Sequence, residues 1–255
     1  MELTAGELLA APPAFAFATL PERLGTGGLV VVAPHPDDES LACGGLIAEA
    51  CSEGRPVRIV VVSDGTGSHP ASKTHPKARL MRLREEETRQ AARELGLDPR
   101  HIVFLRLPDR YVPSEGPSAE EAIERIRACA IEVGAEAIFV SWRHDPHCDH
   151  QASYRLVRSV QRRLPTARVY EYSVWGSALP AETPIERVCD GFRIRMGSHA
   201  LAKKRRAIAA HRSQTTDLIR DDPNGFRLTP DDLVRFEQPF EVFFRSEDSW
   251  PRSQP

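Results

Sequence analysis

The chain has 255 residues, of which 41% are hydrophobic and 27% are charged, as is typical of a globular protein rather than a disordered or fibrous one. A formal net charge of −2 provides no overall positive field to attract nucleic acid or an anionic membrane. No apolar run approaches the roughly 20 residues that a transmembrane helix needs, and the five cysteines form no CxxC pair. We therefore expect a single cytoplasmic domain over 1–255 that binds no nucleic acid.

Strands and helices are predicted to alternate in the first two thirds of the chain. Apolar, largely β-branched runs are typical of buried strands, and the segments between them have helical spacing or capping residues. Such alternation indicates a parallel sheet with helices on both faces. We predict an α/β, Rossmann-like three-layer fold with a mostly parallel sheet. After an irregular lead-in at 1–27, the strands fall at 29–33, 57–62, 102–105, 137–140 and 169–174, and the helices at 40–51, 78–95, 118–133 and 150–164.

The rest of the chain is less regular. With the core ending at about 176, residues from about 177 to 246 are predicted to form a small C-terminal extension of short strands and helices. Its helix at 200–211 carries the basic run Lys203, Lys204, Arg205 and Arg206. Because the overall charge is balanced, we interpret this run as the solvated face of a helix and not as a nucleic-acid patch.

The first predicted strand ends at one histidine and three carboxylates, His35, Asp37, Asp38 and Glu39. Ligands of open α/β sheets bind beyond the carboxyl ends of the strands. Acidic side chains held together at such an edge are costly unless a cation neutralises them, and a divalent metal is the simplest candidate. Acids that only stabilise a helix N-terminus would explain neither His35 nor the second cluster described next.

A second cluster follows the fourth predicted strand. A hydrolytic zinc site needs about three protein ligands and one open position for water. His35, Asp38 and His150 can supply the ligands, because neighbouring strand ends bring distant parts of the sequence together. The second cluster as a whole consists of His144, Asp145, His147, Cys148, Asp149 and His150.

Three further residues of the two clusters have the chemistry of catalysis. Asp37, next to a ligand, can take a proton from the attacking water. His147 can act as general acid or oxyanion stabiliser, and Asp149 can hold His147 in one tautomer.

The two clusters also carry a family resemblance. Pro34-His35-Pro36-Asp37-Asp38-Glu39 and His147-Cys148-Asp149-His150 resemble the two signature motifs of the LmbE/PIG-L family, Rossmann-like, zinc-dependent de-N-acetylases of N-acetylglucosamine-containing conjugates. The resemblance runs from about Leu29 to about Gln214. It implies zinc on His35, Asp38 and His150, Asp37 as general base, and His147 as acid or stabiliser paired with Asp149.

Candidates for substrate binding are less well marked. Arg84 in Arg84-x-x-Glu87 resembles the family's segment whose arginine contacts substrate, and His211-x-x-Gln214 resembles a recurring polar patch late in the family. We add Asp109, in the loop after the third strand, as a residue that can reach a substrate hydroxyl. Asp145 completes this set of candidates. Some sugar-thiol members of the family carry tyrosine at this position, so the resemblance does not imply a mycothiol-type substrate for this chain.

Several alternatives are open or rejected at this point. Cys148 stands where the family usually has proline, but a fourth protein ligand would close the site. Trp142 and Trp175 can stack on a sugar ring or pack at the edge of the core. Dinucleotide binding is rejected, because no GxGxxG follows the first strand.

We predict a metal-dependent hydrolase that removes an N-acetyl group from a small amino-sugar conjugate. The alternatives are hydrolysis of another acyl amide or a phosphoester, and a non-catalytic sugar- or metal-binding module, which would need neither a base nor an acid. Zn²⁺ is favoured by the ligands, and Fe²⁺ accepts the same triad. The sequence does not specify the aglycone, the acyl group or the physiological metal. It also does not specify whether the chain forms a homo-oligomer.

Overall fold

The computed structural model describes residues 3–10, 15–185 and 188–246. In chain order the elements are β1 (Leu3–Thr4), α1 (Ala5–Ala10), α2 (Leu20–Leu24), β2 (Gly28–Ala33), α3 (Asp38–Ser52), β3 (Val57–Ser63), α4 (Lys77–Leu95), β4 (Ile102–Leu107), α5 (Pro117–Glu132), β5 (Ala135–Ser141), α6 (Cys148–Arg163), β6 (Arg168–Tyr172), β7 (Pro184–Ile185), β8 (Val188–Arg195), α7 (Ser198–Ala210), α8 (Arg212–Thr215), α9 (Pro230–Phe236) and β9 (Phe240–Ser246).

Within these described ranges the main sheet has seven strands in the order β4-β3-β2-β5-β6-β9-β8. The first five in that order are parallel to one another, whereas β9 runs antiparallel to both β6 and β8. The predicted α/β fold with a mostly parallel sheet is therefore confirmed. A second, two-stranded sheet pairs β1 with β7.

The central strand β2 shows why the fold has three layers. All six of its residues are buried, as expected for a strand covered on both faces. Leu29 and Val31 pack into a core with residues of α3, α4 and α7, while Val30 and Val32 pack into a second core with residues of α5 and α6. The alternation of side chains along the strand thus separates two helical layers.

The sheet also fixes where a ligand can bind. The chain leaves β2 toward β3 on one side and later adds β5 on the other side. The carboxyl ends of β2 and β5 therefore flank the point where the strand order reverses, which is the usual binding crevice of open α/β sheets.

The lead-in at 1–27 was predicted to be irregular, and this is wrong for α1 and α2. The helix α2 begins with a reciprocal cap, in which the backbone N–H of Thr19 donates to Glu22 over 2.7 Å. Residues 16–18 bond to Arg193 of β8, so tertiary pairing orders a segment that has no periodic pattern of its own. Residues 1–2 and 11–14 of the lead-in lie outside the described residues.

The basic run at 203–206 was predicted to be solvated, and this is wrong for Lys204. Its side chain is buried against α3, and its Nζ lies 2.7 Å from Oε1 of Glu241 in β9. The same carboxylate accepts the backbone N–H groups of Gly45 and Leu46 at 2.7 Å each. The ion pair itself lies within the C-terminal extension, and the hydrogen bonds from α3 to the Glu241 carboxylate join that extension to the parallel core, which capping and periodicity do not reveal.

Among the helices of the described ranges, none is both long and apolar enough to span a lipid bilayer.

Candidate active site

A cavity of about 500 Å³ opens at the reversal point of the sheet. Loops that follow β2, β3, β4 and β5 surround it, so that residues far apart in sequence face one space. Trp175 and Phe226 form an apolar part of its lining, with ring centroids 5.6 Å apart. The predicted site residues that line the cavity are His35, Asp37, Asp38, Arg84, Asp109, His147 and Gln214.

His35, Asp38 and His150 form a triangle of potential ligand atoms. Nδ1 of His35 lies 3.2 Å from Nε2 of His150, and Oδ2 of Asp38 lies 3.4 Å and 3.2 Å from these two nitrogens. Zinc held tetrahedrally at about 2.0–2.1 Å places its ligand atoms about 3.3 Å apart. The donor set and its spacing therefore fit a small divalent cation.

The second nitrogen of each ligand histidine faces a carboxylate, an arrangement that orients metal-binding imidazoles. Nε2 of His35 lies 3.1 Å from Asp149 and 3.4 Å from Asp109. Nδ1 of His150 lies 3.3 Å from Oδ1 of Asp145. Although burial opposes a charged ring, Asp38 and Asp145 raise the pKa of His150 to about 9.

The site contains further donors that lie close enough to share a cation. His147 has a ring nitrogen within 4.8 Å of those of His35 and His150, and a second grouping joins His35 and His147 with two carboxylates. These carboxylates, of Asp109 and Asp149, face the nitrogen of His35 that points away from Asp38 and His150. They are thus placed to orient the His35 ring rather than to join the triangle.

Asp145 was predicted to contact substrate, and its position contradicts this. The residue is fully buried behind His150. Its second oxygen accepts the backbone N–H groups of Val174 and Trp175 at 3.2 and 2.8 Å. Asp145 therefore links α6 to the segment after β6 and has no surface on the cavity.

Asp37 stands between the ligand triangle and Arg84. Its backbone has a φ of 129°, which L-residues rarely adopt. Arg84 donates to Oδ2 of Asp37 over 3.1 Å and to the carbonyls of Pro36 and Gly65. Burial raises the pKa of Asp37 to about 7, although the Arg84 guanidinium opposes the rise. Arg84 lines the cavity as well, so its predicted contact with substrate stays a prediction.

His147 was expected to pair with the Asp149 carboxylate, and the structure shows a different partner. Nδ1 of His147 caps α6 by accepting the backbone N–H of Asp149 over 3.2 Å. The Asp149 carboxylate instead contacts His35 and accepts the N–H groups of Arg110 and Val112 at 2.6 and 3.1 Å. Burial, together with the His35 and His150 rings, lowers the pKa of His147 to about 4. A neutral His147 thus carries its proton on Nε2, because Nδ1 is the acceptor.

The remaining predicted residues lie either at the cavity or away from it. Asp109 lines the cavity and accepts the N–H of Gly67 over 2.8 Å. Gln214 is buried at its edge, and its Nε2 donates to Ser213 over 2.9 Å. Trp142 is fully buried in the core, so stacking on a sugar is wrong for this residue, whereas Trp175 lines the cavity. The thiol of Cys148 lies 3.5 Å from the Arg110 carbonyl and is exposed.

The sequence places Glu39 in the first cluster and His211 in a recurring polar patch but does not pair them. In the structure they form a fully buried pair, with Nε2 of His211 3.0 Å from Oε1 of Glu39. Sequence reasoning also missed Ser68 and Phe226, which line the cavity. Glu39 is adjacent to a predicted ligand, but its partner is distant in sequence, and no local pattern links the two. The loop residues carry no signal in a single sequence.

The sequence family described as PIG-L: GlcNAc-PI de-N-acetylase matches residues 30–161, which include both histidine–aspartate motifs. A 2'-N-acetylparomamine deacetylase of Streptomyces fradiae is 30% identical over 151 residues, covering 55% of this chain and 54% of that protein. A probable N-acetyl-alpha-D-glucosaminyl L-malate deacetylase 2 of Bacillus cereus is 26% identical over 202 residues, covering 76% of this chain and 86% of that protein.

The match therefore spans about half the length of the Streptomyces relative and most of the Bacillus relative. Among solved structures, the A40926 pseudoaglycone deacetylase Dbv21 has a TM-score of 0.67 at 19% identity, covering 89% of this chain and 100% of that one. This last likeness concerns the fold alone.

Proposed function

Because the chain belongs to the PIG-L family of GlcNAc-PI de-N-acetylases, we propose that it is a metal-dependent hydrolase that removes an N-acetyl group from an amino-sugar conjugate. The observation that carries this proposal is the triangle of His35, Asp38 and His150, of which His35 and Asp38 line the same cavity as Asp37 and His147. A non-catalytic metal-binding module would need the triangle but neither Asp37 nor His147.

The relatives support the substrate class. Two of them are named as deacetylases of N-acetylparomamine and of N-acetylglucosaminyl malate. We propose an N-acetylglucosamine-type conjugate as substrate, with the sugar in the cavity beside Asp109, Gln214 and Trp175. Among the described residues, Cys43, Cys51, Cys129 and Cys148 are free thiols, which supports a reducing, cytoplasmic location.

We propose Zn²⁺ as the metal, held by His35, Asp38 and His150. Two imidazoles and one carboxylate are a common catalytic zinc set, while Fe²⁺ accepts the same donors. When bound, the cation supplies a Lewis acid that polarises a carbonyl oxygen and lowers the pKa of water.

The chain's own residues then supply the proton transfers. Asp37 accepts a proton from the attacking water, because its carboxylate lines the cavity beside the proposed ligands His35 and Asp38. His147 donates a hydrogen bond from Nε2 to the developing oxyanion, and the proton that Asp37 took from water passes to the leaving amine as the C–N bond breaks. Asp145 and Asp149 keep the two ligand imidazoles in orientation.

The test is acetate release from a panel of N-acetylglucosaminides by protein of known metal content. We expect Asp37→Asn to lower kcat by about 10²–10⁴-fold while the metal content stays near that of the wild type. His35→Ala and His150→Ala should each lose the metal. Full metal occupancy in either alanine variant would overturn the ligand assignment, and loss of metal in Asp37→Asn would make Asp37 a ligand. Release of another acyl group, or of phosphate, in place of acetate would favour the alternative hydrolase.

A further inference from the structure

The backbone of Asp37 is held in a conformation that an aspartate does not adopt without help. Its φ of 129° and ψ of −32° lie outside the regions that L-residues favour. Residues forced into such conformations persist only where their surroundings determine them. The contacts of the neighbouring peptide therefore indicate what holds this residue.

The φ angle of Asp37 is set by the orientation of the Pro36–Asp37 peptide relative to the start of α3. Both polar groups of that peptide are bound by buried side chains. Arg84 donates to the Pro36 carbonyl over 2.5 Å, and Oε2 of Glu39 accepts the Asp37 N–H over 3.0 Å. On the other side, the Asp37 carbonyl accepts the N–H groups of Ser40 and Leu41 at 2.9 Å each in the first turn of α3.

Glu39 is in turn held from the C-terminal part of the chain. It is 1% exposed, as is His211 at the end of α7. Oε1 of Glu39 accepts from Ser40 over 2.8 Å and lies 3.0 Å from Nε2 of His211. A buried carboxylate requires such partners. The two oxygens of Glu39 thus connect His211 to the backbone N–H of Asp37.

We propose that Glu39 and His211 are positioning residues for the reaction, because they lock the Pro36–Asp37 peptide and so aim the Asp37 carboxylate into the cavity. This inference rests on the proposed role of Asp37 as general base. Neither residue lines the cavity, so neither is expected to contact substrate.

The first test compares Glu39→Ala, Glu39→Gln and His211→Ala. We expect Glu39→Ala to lower kcat by about 100-fold, the scale of a misplaced catalytic group, while KM and metal content stay within about twofold of the wild-type values. Glu39→Gln keeps an oxygen for the Asp37 N–H and should recover most of the loss. His211→Ala should fall between them, because it frees Glu39 without removing it.

Lys204→Met is the matched control. It breaks another buried ion pair, whose carboxylate also bonds to the backbone of α3 but does not contact Asp37. It should reduce stability with little change in kcat. A kcat in Glu39→Ala no lower than in Lys204→Met, or a loss of metal that accounts for the fall, would overturn the proposal.

The second test does not depend on activity. In crystal structures of the wild type and Glu39→Ala, φ of Asp37 should move from the positive region toward the ordinary negative region in the variant. An unchanged positive φ overturns the inference. If the wild type releases no acetate from any conjugate, the proposed function fails, but this comparison still decides what holds the Asp37 backbone.

Discussion

At the scale of single residues, the two ring nitrogens of His147 serve different purposes. Nδ1 caps α6 by accepting the N–H of Asp149, and Nε2 is left for the reaction. A capping role and the proposed catalytic role are therefore combined in one side chain, and a suitable substitution separates them.

We expect His147→Asn to keep the cap, because asparagine is among the best N-cap residues, and to lose the Nε2–H that is proposed to bond the oxyanion. Its kcat should fall by about 10²–10³-fold with an unchanged melting temperature. His147→Ala should lose both functions, with a further destabilisation of about 1 kcal/mol. Acetate release and thermal unfolding measure the two effects. Equal stability of the two variants would show that the cap does not contribute.

The residues of the site differ in how well the sequence predicts them. The predicted ligand set and the predicted base lie within short motifs at strand ends, so their types and spacing are enough to bring them forward as candidates. The hydrogen-bond partners of these residues cannot be predicted from residue type and spacing in the same way. The sequence places Asp149 two positions from His147, but the first turn of α6 directs its carboxylate toward His35. The direction in which a side chain points depends on helix geometry, which the spacing of residues along the sequence does not specify.

At the scale of elements, the loop after β3 is held closed by the segment between α8 and α9. The Asp221 carboxylate accepts the N–H groups of Lys73 and Thr74 at 2.7 and 2.8 Å and the hydroxyls of Ser72 and Thr74 at 2.8 Å each. The N–H of Phe226 donates to Ser68 over 2.6 Å. Polar contacts thus join the loop after β3 to the segment between α8 and α9, and both contribute residues to the cavity lining.

Asp221→Ala should loosen that loop. We expect faster amide exchange at Lys73 and Thr74, by about tenfold, and a rise in KM of similar size with kcat little changed, since Gly67 and Ser68 line the cavity. Asp217→Ala is the control, because Asp217 pairs with Arg227 inside its own segment. Hydrogen exchange and steady-state kinetics provide the measurements, and equal exchange in both variants would refute the role of Asp221.

The pH dependence of this contact has a definite sign. Hydrogen bonds from the Thr74 backbone, the Thr74 hydroxyl and Ser72 lower the pKa of Asp221. A lowered pKa in the folded state contributes stability above the usual aspartate pKa of about 4 and loses it only as the pH falls further. The loop should therefore stay closed throughout the neutral range.

The regular elements were largely predictable, and the irregular ones were not. The strands from β2 to β6 and the helices between them follow from apolar runs and caps, with ends within a few residues of prediction; Gly96, for example, ends α4 with a φ of 94°. The helices α1 and α2 and the loop closure by Asp221 depend on contacts with distant segments. Short elements of this kind gain their stability from tertiary pairing rather than from propensity.

At the scale of the whole molecule, the buried Lys204–Glu241 pair joins the last strand and α7 to α3. Lys204→Met leaves the Glu241 carboxylate without its cation, although its two backbone N–H bonds remain. We expect the free energy of unfolding to fall by about 3 kcal/mol. Lys203→Met, one residue away and only partly buried, should change it by less than about 0.5 kcal/mol. Denaturant unfolding measures both, and equal changes would contradict the buried pair's contribution.

The C-terminal extension has the short strands and helices that the sequence predicts, but the sequence did not indicate where those strands join the sheet. A boundary near 176 is reasonable on pattern alone, because regular alternation ends there. The strands β8 and β9 nevertheless continue the main sheet beside β6. Their antiparallel pairing reflects the register of distant segments, which local periodicity does not specify.

The separation of His211 from Glu39 along the chain also bears on the order of events during translation. Ribosomal synthesis proceeds from the N-terminus, and domains fold as they emerge. All three predicted ligands have been made once His150 is complete, whereas His211, the residue proposed to hold Glu39 and so Asp37, follows α7. The proposed ligands are therefore synthesised before the residue proposed to fix the base, and the proposed site is complete only when the C-terminal part has folded onto α3.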